Sequence, residues 1–279
     1  MVPVEYLQKL LQEDIPHGDI TSESVLPPKV TCNAIITAEQ PAIIAGLEET
    51  AALCRYNGIE AGMPVPDGSP VRAGDIVLTL HGPARMVLTL ERTALNIIGR
   101  MSGIATATRQ FVDRAQSVNP ACRIAATRKT CPGIRLLDKK AVMIGGGDPH
   151  RWSLSDSILI KDNHLSLISI PEAVSRAKAR SSYYKIEVEV SSAADAITAA
   201  RSGADIVMLD NMSPDEVRET VKQLRQENLR DHITIEISGG IDGDSVPAYA
   251  REGVDIISIG ALTHSVRNVS VHLDITGRT

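Results

Sequence analysis

From residue 118 onward, short β-branched apolar runs alternate with longer segments whose apolar residues recur at helical spacing. The runs are RIAAT (123–127), SILI (157–160), KIEVEV (185–190), DIVML (205–209), ITIEI (233–237) and DIISI (255–259). Helical segments at about 171–180, 193–202, 214–227 and 243–252 are long enough to carry the chain back and lay the next strand parallel. Six such strands suit either a parallel α/β barrel or a doubly wound sheet. The residues just past each run separate the two. Arg128 and Lys129 come after the first, Lys161 after the second, Asp210 after the fourth, Ser238-Gly239-Gly240 after the fifth and Gly260 after the sixth, while the third ends at Glu189. Chemically useful residues at nearly every strand end can meet at the mouth of a barrel, whereas an open sheet would string them along an edge. The pattern therefore predicts the barrel.

The first 110 residues follow another rhythm. Val4, Leu7, Leu10 and Leu11 mark a short amphipathic helix that Pro16 and Gly18 end. Residues 25–83 hold short apolar runs punctuated by Pro and Gly, with IVLTLHG (76–82) the clearest strand. Residues 84–117 read as one or two long helices. The expected division is an α/β layered domain over 1–110, completed by 266–279, and a barrel domain over 111–265.

Composition narrows the chemistry. Aromatics are 3% of the 279 residues, so Ile, Val, Leu, Ala and Met must build the core, as in buried parallel strands. The formal charge is −5, with no block of like charges, which speaks against nucleic acid or an anionic membrane as partner. Cys32, Cys54, Cys122 and Cys131 form no C-x-x-C pair and read as packing residues. The first twenty residues lack a signal-peptide core and no stretch is apolar enough to span a bilayer, so the expectation is a soluble cytoplasmic protein.

Against the acidic average, Arg128, Lys129, Arg135, Lys139, Lys140, His150, Arg151 and Lys161 crowd into one stretch. Lys139 and Lys140 read as a solvated helix face. The strand-end cations suit an anion, since Arg grips a carboxylate bidentately and Lys neutralises a phosphate. In KIEVEV the polar positions Lys185, Glu187 and Glu189 could line a solvated face, but inside a barrel two inward carboxylates need cations or a metal. Glu189 and Asp210 together offer hard oxygens of the kind Mg²⁺ accepts when a phosphate completes its shell. Ser238–Gly240 and Gly260 would expose backbone N–H groups to a phosphate. Together these predict a substrate that carries both phosphate and carboxylate groups.

The blocks TRKTCPGIR (127–135), GGGDPHR (145–151), LSDSILIKDNH (154–164), KIEVEV, MLDNM (208–212), SGGI (238–241) and GVDIISIGALTHS (253–265), with ERTALN (91–96) and SGIATATR (102–109), resemble the quinolinate phosphoribosyltransferase family. The resemblance runs from about residue 12 to about residue 265. It implies an N-terminal α/β open sandwich and a C-terminal, incomplete seven-stranded α/β barrel of the type II phosphoribosyltransferase kind. It implies transfer of phosphoribosyl from phosphoribosyl pyrophosphate to quinolinate with Mg²⁺, and a homodimer, or a higher oligomer, that shares its active sites. Arg92, Arg128, Arg151 and Lys161 would then hold the quinolinate carboxylates, with Lys129 and His150 where the two substrates meet. Glu189 and Asp210 would hold ribose and Mg²⁺, and Ser238, Gly239, Gly240 and Gly260 the 5′-phosphate. Pro149 stands where the family pattern has Asn. Two other readings share parts of the pattern: a molybdate-transport-associated paralogue, which lacks the Lys equivalent to Lys161, and a noncatalytic barrel that binds a phosphorylated metabolite.

Overall fold

The computed structural model describes residues 2–279, which form two compact units. The first comprises residues up to Arg109 together with Cys131–Gly146 and Ser265–Thr279. Its four-stranded antiparallel sheet runs β12 (Val271–Arg278), β1 (Thr31–Ala38), β5 (Ile76–Pro83), β3 (Glu60–Gly62). The short strands β2 (Ala42–Ile43) and β4 (Pro70–Val71) pair separately. Alternation decides which face is covered: Cys32, Ala34 and Ile36 are buried along β1, as are Leu78 and Leu80 along β5.

Helices α1 (Val4–Asp14) and α2 (Ile20–Val25) precede this sheet, and the Asp19 side chain caps α2 through the N–H groups of Thr21 and Ser22. Helix α3 (Leu47–Tyr56) lies within the region of short apolar runs punctuated by Pro and Gly, where the sequence marked no helix. Its buried Leu47, Ala51 and Cys54 are spaced for one helical face, and Asp67 caps it from outside by accepting from the Leu47 N–H at 2.9 Å. One helix, α4 (Ala84–Gln116), accounts for the long apolar-periodic segment.

Segment 131–146, which carries α5 (Arg135–Ile144), clusters with this first unit, although the sequence division placed it in the barrel. Its charges explain why. Asp138, fully buried, receives a bidentate contact from Arg100 at 2.8 and 2.9 Å. Lys140 reaches Glu48 and the buried Glu49, each at 2.6 Å. The solvated face expected for Lys139 and Lys140 is therefore wrong, and Lys139 is itself fully buried.

The second unit, Gln110–Thr130 with Gly147–His264, is built on a six-stranded parallel sheet. In chain order the strands are β6 (Arg123–Ala125), β7 (Ile158–Ile160), β8 (Ile186–Val190), β9 (Ile206–Asp210), β10 (Thr234–Ser238) and β11 (Ile256–Ser258), and they lie side by side as β6–β11–β10–β9–β8–β7. Every run read from the sequence appears as one of these. Beside β6, in place of the seventh strand that the family resemblance implied, stands a single bridged residue. Asp148 bridges Ala125 in parallel, donating to the Ile124 carbonyl and accepting from the Ala126 N–H at 2.8 and 2.9 Å. Among the described residues no ladder joins Asp148 to β7, so the barrel stays open there.

Helices α7 (Ile170–Arg180), α8 (Ala193–Ser202) and α9 (Pro214–Gln226) make the crossovers, each opened by a serine cap: Ser169, Ser192 and Ser213. Ser213 and Glu216 form a full capping box with Pro214 at the first helical position. Short helices α6 (Asp162–Leu165), α10 (Val246–Ala250) and α11 (Ala261–His264) fill the remaining connections. Such caps start a helix within a few residues of the preceding strand, which keeps the strand ends free of long loops.

Candidate active site

The carboxyl ends of the barrel strands surround a cavity of about 460 Å³, lined by Arg128, Lys129, His150, Arg151, Lys161, Glu189, Asp210, Ser238, Gly239 and Gly240 among others. Register explains the convergence. Ile160 pairs with Val188, so the next residues, Lys161 and Glu189, stand level, and the Lys161 Nζ lies 2.7 Å from Glu189 Oε2. Asp210 pairs with Ser238 on the neighbouring strand. Thr127, Leu159, Met208, Asn211, Glu236 and Ser258 complete the lining. Two residues expected here are elsewhere. Gly260 does not line this cavity; its missing Cβ instead leaves room for the Lys129 side chain, whose Cδ would lie 3.1 Å away. Arg92 belongs to the first unit, on α4 at the edge of a cavity of about 250 Å³ with Leu10, Asn96 and Ile134, and its side chain is exposed.

The cations define an anion site. Burial and the neighbouring Arg128 guanidinium both pull the Arg151 pKa down, the signature of two like charges held close. Arg128 Nε is buried without a hydrogen-bond partner. Two adjacent guanidiniums in a partly dry cavity are matched by a carboxylate or phosphate that both can grip.

His150 sits below this pair in a left-handed conformation (φ 54°) that few non-glycine residues adopt. Asp148 holds the turn by accepting the His150 N–H at 2.7 Å, and Pro149 fits between them because the turn asks no donor of it. The imidazole Nε2 lies 3.6 Å from Glu187 and 3.4 Å from Glu236, both almost completely buried. Burial pulls the imidazolium down, but the two carboxylates outweigh it and push its pKa up to about 9. Burial likewise raises the Glu187 carboxyl. The Nδ1 of the ring faces the Arg151 N–H at 2.7 Å, a contact that needs a lone pair, so the imidazolium forms only by giving it up. In either state Nε2 carries a proton between the carboxylates. This cluster of three possible ligands thus favours a proton over a metal ion.

The oxygen donors for a hard cation are Glu189 and Asp210. Lys161 occupies Glu189 Oε2, and Asn211 Nδ2 donates to Asp210 Oδ2 at 2.6 Å, so one oxygen of each has no protein donor among the described residues. Both line a second, acidic cavity of about 310 Å³ with Asp162 and Asp195. Mg²⁺ keeps several waters and takes one or two carboxylates with substrate phosphates, so this donor set fits.

Glu187 and Glu236 as partners of His150 were missed by sequence reasoning. The polar position inside ITIEI carried the same signal as those in KIEVEV, an acid alternating within a buried strand. Of the cysteines, Cys32, Cys54 and Cys122 are buried as expected, but Cys131 is exposed and does no packing.

An open α/β barrel with clustered cations, a pair of strand-end carboxylates and a glycine-rich turn defines a class of anion-handling barrel enzymes. The N-terminal domain model of quinolinate phosphoribosyl transferase matches residues 19–102, and the C-terminal domain model residues 104–274. This chain belongs to the quinolinate phosphoribosyl transferase family. It is 43% identical over 276 residues to the probable nicotinate-nucleotide pyrophosphorylase [carboxylating] of Methanothermobacter thermautotrophicus, covering 98% of this chain and 99% of that protein. It is 35% identical over 257 residues to the nicotinate-nucleotide pyrophosphorylase [carboxylating] of Rattus norvegicus, covering 91% and 85%. Among solved structures, NadC from Streptococcus pyogenes superposes with a TM-score of 0.90 at 33% identity, over 99% of this chain and 95% of that one. The Francisella tularensis nicotinate-nucleotide pyrophosphorylase gives 0.89 at 35% identity, over 99% and 98%. Among the described residues no helix is long and apolar enough to cross a membrane.

Proposed function

We propose how this phosphoribosyltransferase uses its site. The chain transfers phosphoribosyl from phosphoribosyl pyrophosphate to quinolinate, yielding nicotinate mononucleotide, pyrophosphate and CO₂ for NAD biosynthesis. The observation that supports the assignment of residues is the paired, mutually repelling Arg128 and Arg151 beside Lys161, opposite the Glu189–Asp210 pair in one cavity.

In this reading Arg128, Arg151 and Lys161 bind the two quinolinate carboxylates and aim the pyridine nitrogen at the ribose carbon that bears pyrophosphate. The nitrogen lone pair forms the new bond as the carbon–oxygen bond to pyrophosphate breaks. Glu189 and Asp210 stand near the ribose, where positive charge develops, and Lys129 and His150 face the anionic groups. Ser238, Gly239 and Gly240 present backbone N–H groups to the 5′-phosphate. Bound through Glu189 and Asp210, Mg²⁺ would neutralise the charge that builds on pyrophosphate. Once quaternary, the ring nitrogen accepts the electrons released as the adjacent carboxylate leaves as CO₂, and the ring carbon takes a proton. The reading also includes a cytoplasmic homodimer in which Arg92 completes the partner's site.

The direct test incubates purified protein with Mg²⁺, phosphoribosyl pyrophosphate and quinolinate or nicotinate, and follows nicotinate mononucleotide and CO₂. Quinolinate should be preferred by about 10⁴-fold, because nicotinate lacks the carboxylate next to the nitrogen and leaves part-buried cations unpaired. Equal use of both acids overturns the assignment of Arg128, Arg151 and Lys161.

A further inference from the structure

We infer that Asn211 is a positioning residue that ties the Asp210 carboxylate to the glycine turn at 238–240, so that the two ends of the phosphoribosyl group meet a single preformed surface. The inference rests on the reading that Asp210 and this turn receive phosphoribosyl pyrophosphate. Asn211 lies directly after β9 and takes a left-handed backbone conformation, φ 55°. Such a conformation costs an ordinary side chain and persists only where surrounding contacts hold it. Here the contacts are specific. Its N–H donates to the Ser238 carbonyl at 2.9 Å, extending the β9–β10 ladder by one bond beyond the Asp210–Ser238 pair.

The two ends of its carboxamide then face different parts of the cavity. Nδ2 donates to Asp210 Oδ2 at 2.6 Å, fixing the carboxylate and leaving Oδ1 without a protein donor among the described residues. Oδ1 of Asn211 lies where a Cβ on Gly239 would come within 2.3 Å, so only glycine can sit against it, and Gly239 takes φ 103° there. The next residue, Gly240, also has positive φ (61°), with nothing within 4 Å of where its Cβ would be. Asn211 thus holds the Asp210 carboxylate through its side chain and Ser238 through its backbone N–H, with its carboxamide oxygen filling the space a Cβ on Gly239 would need, and Asp210, Asn211, Ser238 and Gly239 all line the cavity.

The test compares Asn211→Gly, which keeps the left-handed backbone and deletes the carboxamide, with Asn211→Asp, which keeps the shape and replaces the donor by a second carboxylate. Binding of phosphoribosyl pyrophosphate by calorimetry, KM for each substrate and melting temperature are measured. Both variants should bind phosphoribosyl pyrophosphate about tenfold or more weakly, as expected for losing a hydrogen bond to a charged group. The quinolinate KM should stay within about twofold, because its cations are untouched. Unchanged affinity in Asn211→Gly overturns the inference, and so does an equal rise in both KM values, which would mark general loosening. Asp210→Ala separates the two levels. If it too leaves phosphoribosyl pyrophosphate binding unchanged, the underlying reading fails; if it alone weakens binding, only the role of Asn211 fails.

Discussion

Replacing Lys161 by alanine should separate catalysis from folding. Its ammonium lies 2.7 Å from Glu189, with 45% of the Lys161 side chain exposed and 13% of the Glu189 side chain. As an ion pair so open to solvent it contributes about 0–1 kcal/mol to stability. At roughly 2–4 °C per kcal/mol, the melting temperature should fall by no more than about 4 °C. The effect on turnover is larger, because the same cation lines the cavity that receives a dianionic substrate. Removing one partner of such a pair costs about 2–5 kcal/mol, or about 30-fold to about 5,000-fold in kcat/KM. Half-exposure of Lys161 before substrate binds places the expectation in the lower part of that range. Steady-state formation of nicotinate mononucleotide and a circular-dichroism melt on the same preparation measure both. A kcat/KM within about threefold of wild type refutes the role of Lys161. Loss of activity together with a fall of about 10 °C would instead make Lys161 a structural residue.

Arg92→Ala and Lys161→Ala should each keep no more than a few per cent of activity, yet their mixed chains should recover about a quarter of wild-type activity, since half of randomly assembled dimers are mixed and each has one intact site. A mixture that stays dead places Arg92 in its own chain's site. Lys140→Met should destabilise the first unit by about 2–3 kcal/mol in denaturant titration, because the buried Glu49 loses its cation, and adding Glu49→Gln should recover at least half; additive losses would contradict the pairing. His150 has a folded pKa raised from 6.5 to about 9, so its contribution to stability is complete below about 6.5 and is lost as pH rises through about 9. His150→Gln should flatten the fall in melting temperature between pH 6.5 and 9 relative to wild type, and identical slopes would show that the cluster does not carry that charge.

Local signals were sufficient for the barrel strands and for the residues at their ends. DIVML and ITIEI are short, β-branched and succeeded at once by polar or small residues, and in the structure that junction is the cavity wall. The segment at about 214–227 was legible as a helix, and in the structure Ser213 and Glu216 open α9 with a capping box. The features that escaped depended on partners distant in sequence. Nothing near Lys140 shows that Glu48 and Glu49, some ninety residues earlier, would face it, so a buried ion pair read as a wet helix face. His150 was read for its place beside the substrates, but the two carboxylates that flank it, Glu187 and Glu236, come from β8 and β10 and were not foreseen. Gly260 was assigned to a phosphate by motif; in the structure a Cβ there would crowd the side chains of Lys129, distant in sequence, and His264.

The sheet of the first unit has a further consequence, for the order in which the protein can fold during synthesis. Its strand β1 (31–38) acquires one of its two neighbours only when residues 271–278 emerge. The barrel strands are all translated before that point. The unit that begins first is therefore finished last. Until then one edge of β1, with its row of N–H and C=O groups, lies open to other nascent chains beside an already translated barrel.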